Sequence, residues 1–227
     1  MIKIASSILS ADLLQLEKQI KTVEQCGVDY IHVDVMDGQY VPNITFGPVV
    51  VKILKRITKL PLDVHLMIKN PDDQIENFAR AGANIITVHP DSTIHIHRTL
   101  MLIHENGCQA GISLNPGADI SLLHPLEDLL DLVLIMTVNP GYPAQKLIPS
   151  TIEKIKALAQ EKKSRGYDYL IEVDGGINEL TIPKIVKAGA ELLVVGSAIL
   201  GQPDINKACK TIRQVAEGVH IDGGNPK

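Results

Sequence analysis

The sequence predicts an α/β fold in which eight strand–helix units close into one parallel (β/α)8 barrel of the TIM type. Three observations point there. Short apolar runs alternate with longer amphipathic ones from end to end, and there are eight strand candidates in the series. The runs are rich in aliphatic and β-branched residues, as strands buried on both faces should be. The 227 residues match the size of one such barrel. A doubly wound open sheet would alternate too, but eight units in this length favour closure.

Strands are expected near residues 3–8, 30–35, 62–67, 85–89, 109–114, 132–137, 170–174 and 192–195. The first helical pattern runs from Leu13 to Ile20, with Asp12 as its expected N-cap. Further helices are expected near 48–57, 72–81, 95–105, 121–128, 150–163, 179–188 and 204–216. Gly27, Gly82 and Gly189 each stand between a helical run and the next strand, where glycine supplies the left-handed turn that ends a helix. No linker or low-complexity tract divides the chain. Residues 1–227 therefore read as a single barrel domain, with a frayed tail from about 218.

Composition excludes several classes. Apolar residues make up 45% and charged residues 21%, the balance of a folded globular protein rather than a disordered one. A formal charge of −4 gives no basic footprint for nucleic acid or for an anionic membrane. The absence of Trp and only 3% aromatics argue further against a base-stacking surface. Cys26, Cys108 and Cys209 are odd in number and far apart, so they imply no disulfide framework and read as small buried residues. No signal-peptide core and no apolar run of transmembrane length is seen, so a cytoplasmic location is expected.

In such a barrel, active sites gather at the C-terminal ends of the strands. The second strand ends His32-Val33-Asp34-Val35-Met36-Asp37-Gly38, and alternation puts His32, Asp34 and Met36 on one face. The third ends with His65 and Met67 on one face, and the seventh ends Glu172-Val173-Asp174-Gly175-Gly176. A lone His or Asp at a strand end is most often a hydrogen-bonded structural residue. Four of them, on three inward-facing ends, point instead to a metal or acid–base site. Two nitrogen and two oxygen ligands suit one divalent ion, and zinc, iron, manganese and cobalt all qualify.

Met36, Met67 and Met136 also fall at strand ends. Core filling explains each alone; together they could form an apolar lining over a reactive centre. A phosphate site is suggested by Asn139-Pro140-Gly141-Tyr142-Pro143-Ala144-Gln145 after strand six, Asp174-Gly175-Gly176-Ile177 after strand seven and Val195-Gly196-Ser197 after strand eight. Turns of this kind present backbone N–H groups to an anion. His89, Asn115 and Pro116 could border the pocket. His95, His97, His104, His124 and His220 read as solvated or locally bonded, and Asp37-Gly38 as the turn after strand two.

Ser6-Ser7-Ile8-Leu9-Ser10-Ala11-Asp12, His32 through Gly38, Val41-Pro42-Asn43, Leu62 through Met67 and Glu172 through Ile177 occur in an order that resembles the ribulose-phosphate 3-epimerases. The resemblance runs from about residue 3 to about residue 216. It implies a barrel of the ribulose-phosphate-binding type that interconverts D-ribulose 5-phosphate and D-xylulose 5-phosphate in the pentose phosphate pathway. It further implies metal ligation by His32, Asp34, His65 and Asp174, with Asp34 and Asp174 as the acid–base pair. Ser7, His65, Gly141, Ala144, Asp174, Gly175, Gly176, Gly196 and Ser197 fall at substrate-contacting positions. The expected partner is a small ketose phosphate, and members are commonly dimers or hexamers, so a homo-oligomer is expected.

One stretch departs from the family pattern. A Gly-Phe-Gly-Gly-Gln loop is replaced by Gly141-Tyr142-Pro143-Ala144-Gln145. Pro143 has no N–H to offer, and the Cβ of Ala144 penalises a positive φ. That departure motivates an alternative, a 3-epimerase acting on a hexulose 6-phosphate such as allulose 6-phosphate. A non-catalytic sugar-phosphate-binding paralogue is a second alternative. A decarboxylase or aldol-type enzyme of related barrels is disfavoured, because Met36 stands where their Asp-x-Lys-x-x-Asp pattern needs Lys.

Overall fold

The computed structural model describes residues 1–219, and its eight parallel strands close into a barrel in sequential order. The strands are β1 (Lys3–Ser7), β2 (Tyr30–Met36), β3 (Leu62–Met67), β4 (Ile85–Val88), β5 (Gln109–Leu114), β6 (Leu132–Met136), β7 (Leu170–Asp174) and β8 (Leu192–Val195). Every strand expected from the sequence is present, with ends shifted by at most one residue. The helices are α1 (Leu16–Gln25), α2 (Pro48–Ile57), α3 (Asp72–Ala81), α4 (Ile96–Glu105), α5 (Ser150–Arg165), α6 (Ile182–Ala188) and α7 (Ile205–Glu217).

Three helical expectations are corrected. Asp12 does not cap α1: its carboxylate accepts the N–H of Leu14 and starts a short 3-10 turn, and α1 begins only at Leu16. The run near 121–128 forms two 3-10 turns, Ile120–Leu123 and Glu127–Leu129, because Pro125 between them has no N–H to carry a helical ladder. The run near 179–188 starts late, since Oδ1 of Asn178 accepts the N–H groups of Leu180 and Thr181 and holds that stretch as a turn before α6. Gly82 and Gly189 end α3 and α6 at φ 113 and 111, as expected of left-handed caps.

Outward strand residues such as Val33, Val64 and Ile86 pack against helix residues such as Leu54, Ile75 and Phe78 to form the main core. Complete burial of one such side chain contributes about 1.5–3 kcal/mol. The inside of the barrel is divided. Ala5, Ile85, Leu132, Leu134, Leu192 and Val194 make one part apolar. His32, Asp34, Asp63, His65, Thr87 and Glu172 are also buried. A barrel stabilised only by packing would not place so many polar groups there.

Cys108 and Cys209 are buried as expected. Cys26 is only half-buried, with its thiol 3.0 Å from Oδ1 of Asn206 at the start of α7. Among the described residues no helix is long and apolar enough to cross a membrane. Of the tail from about 218, only Gly218 and Val219 lie among the described residues, and the Gly218 N–H bonds to the carbonyl of Gln214. His220 and the rest of the tail lie outside the described residues.

Candidate active site

Strand register assembles the site. Asp34 pairs with His65 across β2 and β3, as do Met36 with Met67 and His32 with Asp63. Asp174 closes the set from β7, three places away from β2 around the barrel. Ligand-capable atoms of His32, Asp34, His65 and Asp174 all lie within 4.8 Å of one another. Oδ1 of Asp34 is 3.3 Å from Nε2 of His32 and 3.3 Å from Nδ1 of His65. Ligand bonds of 2.0–2.1 Å in tetrahedral array put neighbouring ligand atoms about 3.3 Å apart. The geometry and the donor set therefore fit a divalent transition metal.

The cluster is fixed from behind. Oδ2 of Asp63 bonds to Nδ1 of His32 at 2.5 Å, which turns Nε2 toward the centre. Nε2 of His65 meets Nε2 of His89 at 2.8 Å, which leaves Nδ1 facing the centre. Ser7 donates to Oδ2 of Asp34 at 2.7 Å and accepts the N–H of Leu9. Thr45 donates to the Asp34 carbonyl at 2.6 Å and accepts the N–H of Met36, holding the end of β2 in place.

Burial and mutual charge separate the ionisations. Burial opposes the ionisation of Asp34, yet His32 and His65 hold its carboxyl well below the usual carboxylate range. Burial, and then the charge of Asp34, push Asp174 up to about 7. Burial also works against a charged His32, but Asp63 and Asp34 outweigh it and raise the imidazole well above its ordinary value. Burial and then Asp63 raise Glu172, and burial lowers both His65 and His89. Two carboxyls within one centre are thus driven in opposite directions.

A cavity of about 720 Å³ opens above this centre. Met36, Met67 and Met136, each no more than 3% exposed, line it alongside Ser7, Asp34 and Asp174. It continues to Gly141, Ala144, Gly175, Gly176, Gly196 and Ser197, so all three candidate phosphate turns reach one cavity, although Asn139 and Val195 do not line it. Gly175 and Gly176 have φ of 114 and 67. A Cβ on Gly176 would come within 2.5 Å of the backbone nitrogen of Leu147, so both conformation and space demand glycine there. Gly141 has φ 122, and a Cβ there would come within 3.3 Å of the Val41 side chain in the segment after β2. Ala144 adopts φ 58 despite its Cβ, and the Gln145 side chain bonds to the carbonyls of Asn139 and Tyr142 and pins the loop.

Several residues at the site carried no role in the sequence reading. Asp63 and Glu172 face inward behind His32, and alternation with His65 and Asp174 was a signal that could have found them. Lys146 and Lys184 line the rim and supply two cations near the turns. His89, Asn115 and Pro116 do not line the cavity; Asn115 lies behind it and donates to Tyr40, whose ring is tilted against His89 with 4.8 Å between centroids. Asp37 accepts the N–H groups of Gln39 and Tyr40, forming the expected turn. His124 lies outside the site and pairs with Glu161 on the outer surface.

Residues 3–200 match the model of the ribulose-phosphate 3 epimerase family. The chain belongs to the ribulose-phosphate 3-epimerase family. It is 53% identical to the ribulose-phosphate 3-epimerase of Bacillus subtilis, over 94% of this chain and 99% of that one. Identity is 48% to the chloroplastic ribulose-5-phosphate-3-epimerase of Arabidopsis thaliana, over 92% of this chain and 75% of that one. Identity to the Escherichia coli K12 ribulose-phosphate 3-epimerase is 46%, over 92% and 94% of the two chains. Among solved structures, 3-hexulose-6-phosphate synthase from Salmonella typhimurium superposes with a TM-score of 0.70 at 20% identity, over 96% of this chain and all of that one. Such a likeness shows the barrel alone. Membership of the epimerase family rests on the sequence relatives, and it makes the chain an isomerase of that family.

Proposed function

We propose that the chain epimerises D-ribulose 5-phosphate to D-xylulose 5-phosphate at C3, as a cytoplasmic step of the pentose phosphate pathway. The observation that carries this reading is the meeting of Asp34 and Asp174 at one metal-competent centre, in a cavity that continues into the glycine turns after β6, β7 and β8. His32, Asp34, His65 and Asp174 would hold the ion. When bound, it supplies positive charge beside the sugar oxygens that become negative in an enediolate.

The chain's own groups account for the proton movements. One aspartate takes the proton from C3, next to the C2 carbonyl, and the electron pair left behind is delocalised onto the C2 oxygen. The other aspartate gives a proton to the opposite face of C3. Each turnover exchanges the protonation states of the two carboxyls, and proton exchange with water restores them. The three methionines keep the centre dry without offering a competing proton. Backbone N–H groups at Gly175, Gly176, Gly196 and Ser197, with Lys184 nearby, suit a phosphate dianion.

The test is turnover of ribulose 5-phosphate in D2O. Xylulose 5-phosphate carrying solvent deuterium at C3 is the expected product. Product that retains the substrate hydrogen would remove the two-carboxyl mechanism. A hexulose 6-phosphate is a second reading, motivated by Pro143 and Ala144 at the phosphate end of the cavity. Comparing kcat/KM for five- and six-carbon ketose phosphates separates them, and failure of both to turn over would favour a binding paralogue. Exposed Leu14, Ile44, Val49 and Ile94 support a homo-oligomer, which sedimentation equilibrium would size.

A further inference from the structure

The two candidate histidine ligands are backed by different chemistry. His32 has a carboxylate behind it, whereas His65 has a second imidazole, with Nε2 facing Nε2 at 2.8 Å. Two imidazole nitrogens at that distance need one hydrogen between them: one donates and the other accepts. His65 can give its Nδ1 lone pair to a metal only if its hydrogen sits on Nε2. His89 must then accept at Nε2 and carry its own hydrogen on Nδ1.

His89 is placed to adapt in this way. It is fully buried, and no carboxylate bonds to it. Among the described residues its outer nitrogen, Nδ1, has no hydrogen-bond partner, so none of them selects one tautomer over the other on that side. The ring is held between His65, with centroids 5.0 Å apart, and Tyr40, at 4.8 Å. Tyr40 is anchored in turn by Asp91 at 2.9 Å and Asn115 at 2.7 Å. Orientation is therefore fixed while the position of the hydrogen is free.

We propose that His89 is a positioning residue: when the metal is bound it accepts the Nε2–H of His65, which keeps the ring oriented and leaves Nδ1 of His65 free for the metal. In the metal-free protein the pair reverses, with His89 donating to Nε2 of His65 and Nδ1–H of His65 facing Oδ1 of Asp34 at 3.3 Å. Metal loading thus relocates two hydrogens without changing the charge of either ring. The inference rests on the metal reading of the proposed function.

The experiment is nitrogen-15 NMR of histidine-labelled protein with and without zinc, beside zinc titrations of His89→Leu and His89→Gln. Zinc-loaded protein is expected to show His65 protonated at Nε2 and His89 protonated at Nδ1. His89→Leu, which cannot accept, is expected to weaken zinc binding about 10–100-fold, while His89→Gln, whose Oε1 can accept, recovers most of it. The NMR arm needs no variant and stands even if His89→Leu fails to fold. Wild-type protein that takes no zinc would overturn the metal reading and this inference together. Wild-type protein that binds zinc with His89 protonated at Nε2, or a folded His89→Leu variant with unchanged affinity, would overturn this inference alone.

Discussion

Oδ2 of Asp63 lies 2.5 Å from Nδ1 of His32, and both side chains are completely buried within the barrel. That one contact fixes the tautomer and rotation of the ring, so Nε2 can only point to the centre shared with Asp34. Asp63→Ala is expected to lower zinc affinity about 10–100-fold. Asp63→Asn, which still offers an oxygen to Nδ1–H, should lose less. Calorimetric zinc titration checks both, with far-UV circular dichroism as the control for folding.

Zinc binding should depend on pH in a defined direction. Burial and the charge of Asp34 push Asp174 up to about 7 in the metal-free protein, so below that pH the carboxyl carries a proton. A ligand must be deprotonated to bind, and zinc must displace that proton. Affinity should therefore fall more steeply as pH drops below about 7, where the Asp174 proton adds to the one zinc must already displace from His32, whose imidazole Asp63 and Asp34 hold well above its ordinary value. Titrations in buffers of different ionisation enthalpy should show more proton release at about pH 6 than at about pH 8.5. Release that does not change over this window would contradict the placement of Asp174 in the ligand set.

The loop after β6 should bind phosphate less tightly than its geometry allows. Pro143→Gly restores one N–H, and a hydrogen bond contributes about 0.5–1.5 kcal/mol. KM for the sugar phosphate should fall by about two- to tenfold with kcat little changed. Ala144 holds φ 58 with a Cβ present. Ala144→Gly should shift stability in the stabilising direction by no more than about 1 kcal/mol, because relief of backbone strain outweighs the added freedom of the unfolded chain. Steady-state kinetics and urea unfolding measure the two effects.

Inside the barrel, Gly111 pairs with Thr87 and leaves no room for a side chain. A Cβ there would sit 2.2 Å from Oγ1 of Thr87. Gly111→Ala is expected to cost about 1–3 kcal/mol through overpacking. The expected readout is a lower urea midpoint with an unchanged m-value.

Most of the barrel was legible because strand burial writes itself as short aliphatic runs, and residues 62–67 and 109–114 fall where those runs place β3 and β5. The residues that came together at the centre were legible for the same reason, since alternation puts His32 and Asp34 on one face. Two kinds of information were hidden. Side-chain competition for backbone groups, as at Asp12 and Asn178, moved helix starts without changing the hydrophobic pattern. Contacts between strands, such as His65 with His89 and Asp63 with His32, depend on register and depth, which one strand's sequence does not carry.

Metal-assisted epimerisation is proposed at the centre formed by His32, Asp34, His65 and Asp174. The direct measurement is a coupled assay that follows xylulose 5-phosphate formed from ribulose 5-phosphate, run before and after chelation and again after a divalent metal is restored. Turnover is expected to be lost with the metal and to return with it. Full turnover in protein shown by elemental analysis to be metal-free would contradict that proposal.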